Sequence, residues 1–240
     1  MDTKEKPELT ELQKYQEKMS HKRKIQQQAL AILNRAKEAG IPESQMRITE
    51  KEFKDLIDIE YCRYRGWDSK GIDTFCHGLY TIPSVLLKTP FFLIDGGNMY
   101  SRKRAAYALL FRMIAWDRLA MCYSCANVTH SLQQFKSNGD ISRNDFAMEI
   151  KQQDMLYISE CEVGLFKPIF EAGSFLDEIL EWREARNKPT ILSFVNPIPL
   201  KGYESRERVS DLSTGQYMMM FSESDSGKYD NKNIIRIRVK

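Results

Sequence analysis

Residues 91–111, FFLIDGGNMYSRKRAAYALLF, place an apolar run, a turn holding Gly96 and Gly97, and a stretch with apolar residues at helical spacing in direct succession. An apolar run this short, closed off by glycine, reads as a strand buried on both faces. The pattern recurs along the chain. MCYSCANV (121–128), DMLYIS (154–159) and PTILSFVN (189–196) read as further buried strands, and QYMMMFS (216–222) and NIIRIRVK (233–240) as closing period-two segments. Between them, residues 101–120, RNDFAMEIKQQ (143–153) and FEAGSFLDEILEWREARNK (170–188) read as helices, and SLQQFKSNG (131–139) as a helical piece ending in a turn. Strands that alternate with helices of crossover length imply an α/β fold with a mostly parallel sheet covered on both faces. Ligands of such sheets sit beyond the carboxyl ends of the strands, which is where residues 95–103 fall.

The chain ahead of this core has a different texture. Residues 8–40 hold no proline or glycine before Gly40 and are rich in Gln, Lys, Glu, Leu and Ala, so they read as one long helix or two. Apolar residues are sparse up to His21 and denser after it, which leaves the first half solvated unless a partner covers it. Residues 1–40 are therefore expected to form an N-terminal helical arm and 41–240 the core domain. Thr49 with Glu52 fits a capping box that starts a helix. YRGWDSKGIDTFCHG (64–78), with its three glycines and two aspartates, reads as loop.

Composition narrows the classes. With 36 basic against 33 acidic residues the net charge is only +3, which excludes a polybasic protein and leaves room for a local basic patch. Five cysteines, an odd number, lie mostly in apolar segments and argue for a reducing compartment, hence a cytoplasmic location. No apolar run approaches the roughly 20 residues of a membrane span. Cys122 and Cys125 have zinc-knuckle spacing but sit in an expected buried strand with no paired histidine after them, so they read as core thiols and no metal is expected. His21, His77 and His130 belong to no nucleophile signature.

The order of features resembles the helicase-loader branch of the AAA+ ATPases, the DnaC, DnaI and IstB group, over about residues 30–240. AKEAGIPESQMRITEKEF looks like the loader entry segment, and DMLYISECEVG like the Walker B strand with its following glycine. EILEWREARNKPTILSFVN looks like the helix, Lys-Pro turn and sensor 1 strand, and RERVSDLSTGQYMMMF like the segment bearing the trans-acting arginine. The resemblance implies an AAA+ P-loop-type core and a DNA replication factor that binds a replicative DNA helicase and single-stranded DNA and contacts neighbouring copies of itself as a homo-oligomer.

Matched residue by residue to that family, the nucleotide chemistry is degenerate. A Walker A loop needs its second glycine for close phosphate approach, its lysine for the terminal phosphates and its hydroxyl for magnesium. Here Gly96 keeps the first glycine and Gly97 follows it, but Ser101, Arg102 and Lys103 stand at the second glycine, the lysine and the hydroxyl. Arg102 still offers a cation, whereas Lys103 repels a metal. Ser159 and Glu160 stand where Walker B carboxylates are expected, leaving Glu160 as the single catalytic candidate, with a surface strand-end carboxylate as the competing reading. Asn196 is sensor-like, and Arg206 and Arg208 are the arginine-finger-like residues nearest to Asp211.

The expected cofactor is none, or weakly bound ATP or ADP, in a pseudo-ATPase. The small size and eroded motifs suggest a phage or other mobile-element copy. Leu9, Leu12, Tyr15 and Met19, at spacings of three and four, form a narrow seam suited to a helicase groove, and Arg236 and Arg238 share a strand face suited to DNA. Two other functions stay open: an inhibitor or decoy that binds the host helicase or its loader, and a true ATPase with a divergent P-loop.

Overall fold

The structure is a computed structural model that describes residues 10–58, 69–128, 131, 140–161, 171–195 and 234–240. Its described elements are α1 (Glu11–Glu38), a short 3-10 turn (Glu43–Gln45), α2 (Glu50–Leu56), α3 (Ser69–Thr81), α4 (Pro83–Leu87), β1 (Phe91–Gly96) and α5 (Met99–Ala115). These are followed by β2 (Ala120–Ser124), α6 (Asp140–Gln152), β3 (Met155–Cys161), α7 (Glu171–Glu184), β4 (Thr190–Phe194) and β5 (Ile234–Val239). The strands form one five-stranded sheet in the order β2-β3-β4-β1-β5, and every pairing between them is parallel. The expected α/β architecture with a preceding helical arm is what the chain adopts.

Period-two alternation sends the side chains of each strand to two cores. Phe92 and Ile94 of β1, Met155 and Tyr157 of β3, Ile191 of β4 and Ile237 of β5 pack under α5 and the N-terminal helices. Phe91, Leu93, Leu156, Ile158, Leu192 and Phe194 face the other way, against Ala147 and Ile150 of α6 and Ile179 and Leu180 of α7. Each such large apolar side chain contributes about 1.5–3 kcal/mol when fully buried.

Both outer edges of the sheet are covered by N-terminal chain. The Cys122 N–H of β2 donates to Ala39 O at 3.0 Å, while at β5 the Asp58 N–H donates to Arg238 O at 2.8 Å and the Lys240 N–H to Leu56 O at 2.9 Å. Unpaired strand edges invite association with other chains, and these contacts blunt both.

Two readings are corrected. Of the stretch 64–78, which its three glycines and two aspartates mark as loop, residues 69–78 instead belong to helix α3 (Ser69–Thr81), since Ile72, Cys76, Leu79 and Tyr80 recur at helical spacing and are buried. That burial outweighs the helix penalty of about 1 kcal/mol per glycine. The second strand stops at Ser124 instead of running to residue 128, and 125–128 turn helical, with the Asn127 N–H donating to Ser124 Oγ at 3.0 Å. The capping box at Thr49 is present as expected. QYMMMFS, Cys62 and His130 lie outside the described residues.

Arg183, fully buried, ties α7 to the base of the sheet and to the end of α6. Its guanidinium donates to Ile150 O (3.2 Å), Lys151 O (3.1 Å) and Gln153 O (2.7 Å) at the end of α6, and to Pro189 O (2.6 Å) and Thr190 Oγ1 (2.8 Å) at the start of β4. Helix-terminal carbonyls have no partner within their own helix, and here one cation satisfies several of them. Burial pushes the guanidinium pKa down to about 9, with Asp154 pulling it the other way. Arg183→Met strands those carbonyls without donors and should cost about 3 kcal/mol or more. Chemical denaturation of the variant measures this, and a loss under about 1 kcal/mol would contradict the role.

Candidate functional site

The carboxyl ends of β1, β3 and β4 converge on the turn into α5. That turn is short, because β1 runs through Gly96 and α5 begins at Met99, leaving Gly97 and Asn98 between them. Asn98 caps the helix by accepting the Ser101 N–H at 2.9 Å. Gly96 and Gly97 both have positive φ, 77° and 48°. The space a side chain would need is taken by the chain's own backbone, since a Cβ on Gly96 would come within 2.6 Å of Val239 O and one on Gly97 within 2.2 Å of Lys240 O. The glycines therefore serve close packing against the end of β5.

Arg102 fills the inside of the turn. It is buried, and its Nη1 donates to Gly96 O at 2.9 Å and Gly97 O at 3.0 Å, while its Nη2 and Nε donate to Glu160 Oε2 at 2.8 Å and Oε1 at 3.3 Å. The fork geometry makes this a charge-assisted, bidentate pair. Glu160 reaches Arg102 through a β-bulge. Ile158 pairs with Leu192 and Cys161 with Phe194, so β3 carries one residue more than β4 across that interval. Glu160 sits in the bulge with φ 56°, a left-handed conformation costing a non-glycine residue roughly 1–2 kcal/mol.

Ser193 of β4 holds the bulge in place. The Glu160 N–H donates to Ser193 Oγ at 3.0 Å, and Ser193 Oγ lies 3.4 Å from Glu160 Oε1 and 3.0 Å from the Tyr157 hydroxyl. A carboxylate only accepts, so the Ser193 proton goes to Glu160 and Tyr157 is the donor to Ser193. Burial pushes the Tyr157 pKa well up, which keeps that donor protonated. On the other side of β1, fully buried Asp95 receives Arg238 Nε at 2.9 Å and Nη2 at 3.0 Å.

The structure thus gathers Gly96, Gly97, Ser101, Arg102, Lys103 and Glu160 at one end of the sheet, with Ser101 and Lys103 half-buried in the first turns of α5. Ser159 is buried beside Glu160. A magnesium nucleotide fits this donor set poorly: Lys103 offers an ammonium and Ser159 a hydroxyl, and the Arg102 guanidinium is bonded to Glu160. Arg238, read as a DNA contact, is engaged with Asp95. Arg236 and Leu12 are described by backbone only, and Leu9, Asn196, Arg206 and Arg208 lie outside the described residues. Tyr15 is exposed and Met19 half-buried on α1.

Sequence reasoning missed Asp95, Ser193 and Tyr157. Asp95 is a carboxylate inside an apolar run, and Ser193 a polar residue inside another, and those were the available signals. His77 lies apart from the site, its Nδ1 3.0 Å from Glu50 Oε1 between α2 and α3. Among the described residues no cluster of His, Cys, Asp or Glu side chains is arranged to hold a metal ion, and no helix is long and apolar enough to cross a membrane. Burial raises the Cys122 thiol pKa to about 11, while its contacts with Tyr107 and Lys103 pull it down.

Breaking the central pair should be costly, and removing both partners less so. Arg102→Met should lose about 3 kcal/mol of stability, and a double-mutant cycle with Glu160→Gln should return a coupling of about 2 kcal/mol. Coupling indistinguishable from zero in equilibrium unfolding would contradict the pair as drawn.

No protein-family model matches the chain, and no curated protein matches it. Solved structures do. One is a DNA replication initiation factor, 12% identical, matched over 78% of this chain and 51% of that one with a TM-score of 0.51. Another is domain III of the replication initiation protein DnaA from Thermotoga maritima, 12% identical over 68% of this chain and 60% of that one, TM-score 0.50. A third is the DnaC helicase loader, 14% identical over 70% of this chain and 88% of that one, TM-score 0.47. The chain spans about half the length of the replication initiation factor it matches. At the level of fold, the chain shares with the replication initiation factor and DnaA domain III a parallel α/β sheet flanked by helices.

Proposed function

We propose that the protein is a DNA replication factor of the helicase-loader kind that binds a replicative helicase and single-stranded DNA without hydrolysing ATP. The observation that carries this reading is the Arg102–Glu160 pair at the carboxyl ends of the strands, in an AAA+ fold. In a working ATPase the cation at that turn faces phosphate and the carboxylate faces the attacking water. Here each faces the other, so neither group is left for nucleotide, and the two glycines hold β5 in place of phosphate.

What remains of a loader is a rigid core and a helix projecting from it. α1 packs on the core through its last turns, where Ala36 and Ala39 are buried and Ile32 and Leu33 partly so. Residues 20–31 are exposed, and Tyr15 is 62% exposed. Among the described residues α1 is held only at its C-terminal end, and such a helix suits docking into a partner's groove, with Leu12, Tyr15 and Met19 as anchors. In the loader reading Arg236 is the terminal contact to DNA, while Arg238 keeps β5 against β1.

Two outcomes follow. The purified protein should turn over ATP at the background rate of phosphate release, and magnesium-dependent turnover abolished by Glu160→Gln would overturn the non-hydrolysing reading. Leu12→Ala with Tyr15→Ala should remove helicase association in a pull-down, since groove anchors each contribute above about 1 kcal/mol. The melting temperature of the same variant should stay within about 2 °C of the parent, as an exposed face gives up little buried area. Retained association, or a core that melts with the arm, would overturn the arm's role.

A further inference from the structure

We propose that the basic block on the projecting part of α1, Lys18, Lys22, Arg23 and Lys24, is a nucleic-acid contact that grips the phosphodiester backbone. It rests on the reading that DNA is a partner, and makes the arm, more than the terminal Arg236, the main contact.

The block is a local excess of one charge. Between Glu17 and Glu38 the helix has no acidic residue, although the whole chain is nearly balanced at +3. Two further cations on the same helix are neutralised by the core, Arg35 by Asp117 and Lys37 by Glu43 at 3.0 Å. Lys18, Lys22, Arg23 and Lys24 are exposed, and none of them has an ion-pair partner among the described residues. Lys18 and Lys22 stand one turn apart, where like charges disfavour the helix, and an anion from outside relieves that repulsion.

Geometry selects the kind of anion. Successive helical residues point about 100° apart, so Lys22, Arg23 and Lys24 radiate around the helix instead of forming one stripe. A flexible strand bearing a charge at every nucleotide can follow such an array, whereas a flat acidic protein face meets only part of it. A membrane surface is a poor match, because interfacial helices oppose their cations with an apolar face. Here most neighbours are polar and exposed, Ser20, His21, Gln26, Gln27 and Gln28, and the exposed Ile25 stands alone among them instead of forming an apolar face. The glutamine amides add hydrogen-bonding groups to phosphate and base edges without adding charge.

The test is fluorescence anisotropy of a labelled oligothymidylate titrated with the full chain, without nucleotide or helicase. The variants are Lys22→Gln/Arg23→Gln/Lys24→Gln, which keeps helix propensity, and Arg236→Gln. The triple variant should bind roughly tenfold more weakly at about 0.1 M salt, and its slope of log K against log salt should be shallower by about 2, from about 0.7 per cation removed. Circular dichroism should register unchanged helix content. Affinity and slope unchanged in the triple variant but reduced in Arg236→Gln would overturn this inference and leave the loader reading standing. Oligothymidylate binding displaced equally well by polyglutamate would overturn it in favour of a general acidic partner. No binding by the parent chain would overturn both DNA assignments while leaving helicase association, measured separately, untouched.

Discussion

The rest of the site depends on one buried guanidinium. Arg102 is held by two carbonyls of the turn it follows and by the Glu160 carboxylate from two strands away, so β1, α5 and β3 meet at a single charge. A buried cation is tolerated only when it is paired and hydrogen-bonded, and here four of its five N–H donors are met. The demand propagates outwards. Glu160 can reach Arg102 because β3 bulges, the bulge persists because Ser193 bonds both its backbone and its carboxylate, and Ser193 is oriented by Tyr157 from the buried face of the sheet.

A second demand acts on the other side of β1. Asp95 is wholly buried and Arg238 supplies its counter-charge, which joins β5 to β1 through side chains as well as through the strand ladder. With β5 seated there, the backbone at Val239 and Lys240 runs so close to Gly96 and Gly97 that no side chain fits. Glycines usually found where backbone approaches phosphate here let one part of the chain approach another. Tight closure of the turn is a consequence of this packing.

In the proposed reading, function lies on the arm and not at the sheet. Arg102, Glu160 and Asp95 at the carboxyl ends of the strands are engaged in internal bonds, while on α1 Lys18, Lys22, Arg23 and Lys24 are exposed with no ion-pair partner among the described residues and Tyr15 is exposed. Exposed charge and exposed apolar surface are where a partner gains most.

Much of this was legible in residue order. Short apolar runs bounded by glycine and proline announced the parallel strands and the capping box at Thr49 announced α2, because these are local properties of neighbouring residues. Helix α3 was hidden, since two glycines weaken its local preference and only burial of Ile72, Cys76, Leu79 and Tyr80 against the core forms it. The partners of Arg102 and Asp95 were hidden for a related reason. Glu160 lies 58 residues from Arg102 and Arg238 lies 143 from Asp95, and no pattern in a single chain says which distant opposite charge will answer a buried one. Sequence alone determined the periodicity of each segment and which chemical groups were available at the turn. Tertiary structure alone decided that those groups face each other, because desolvation forces a buried charge to take whichever partner the strand order brings within reach.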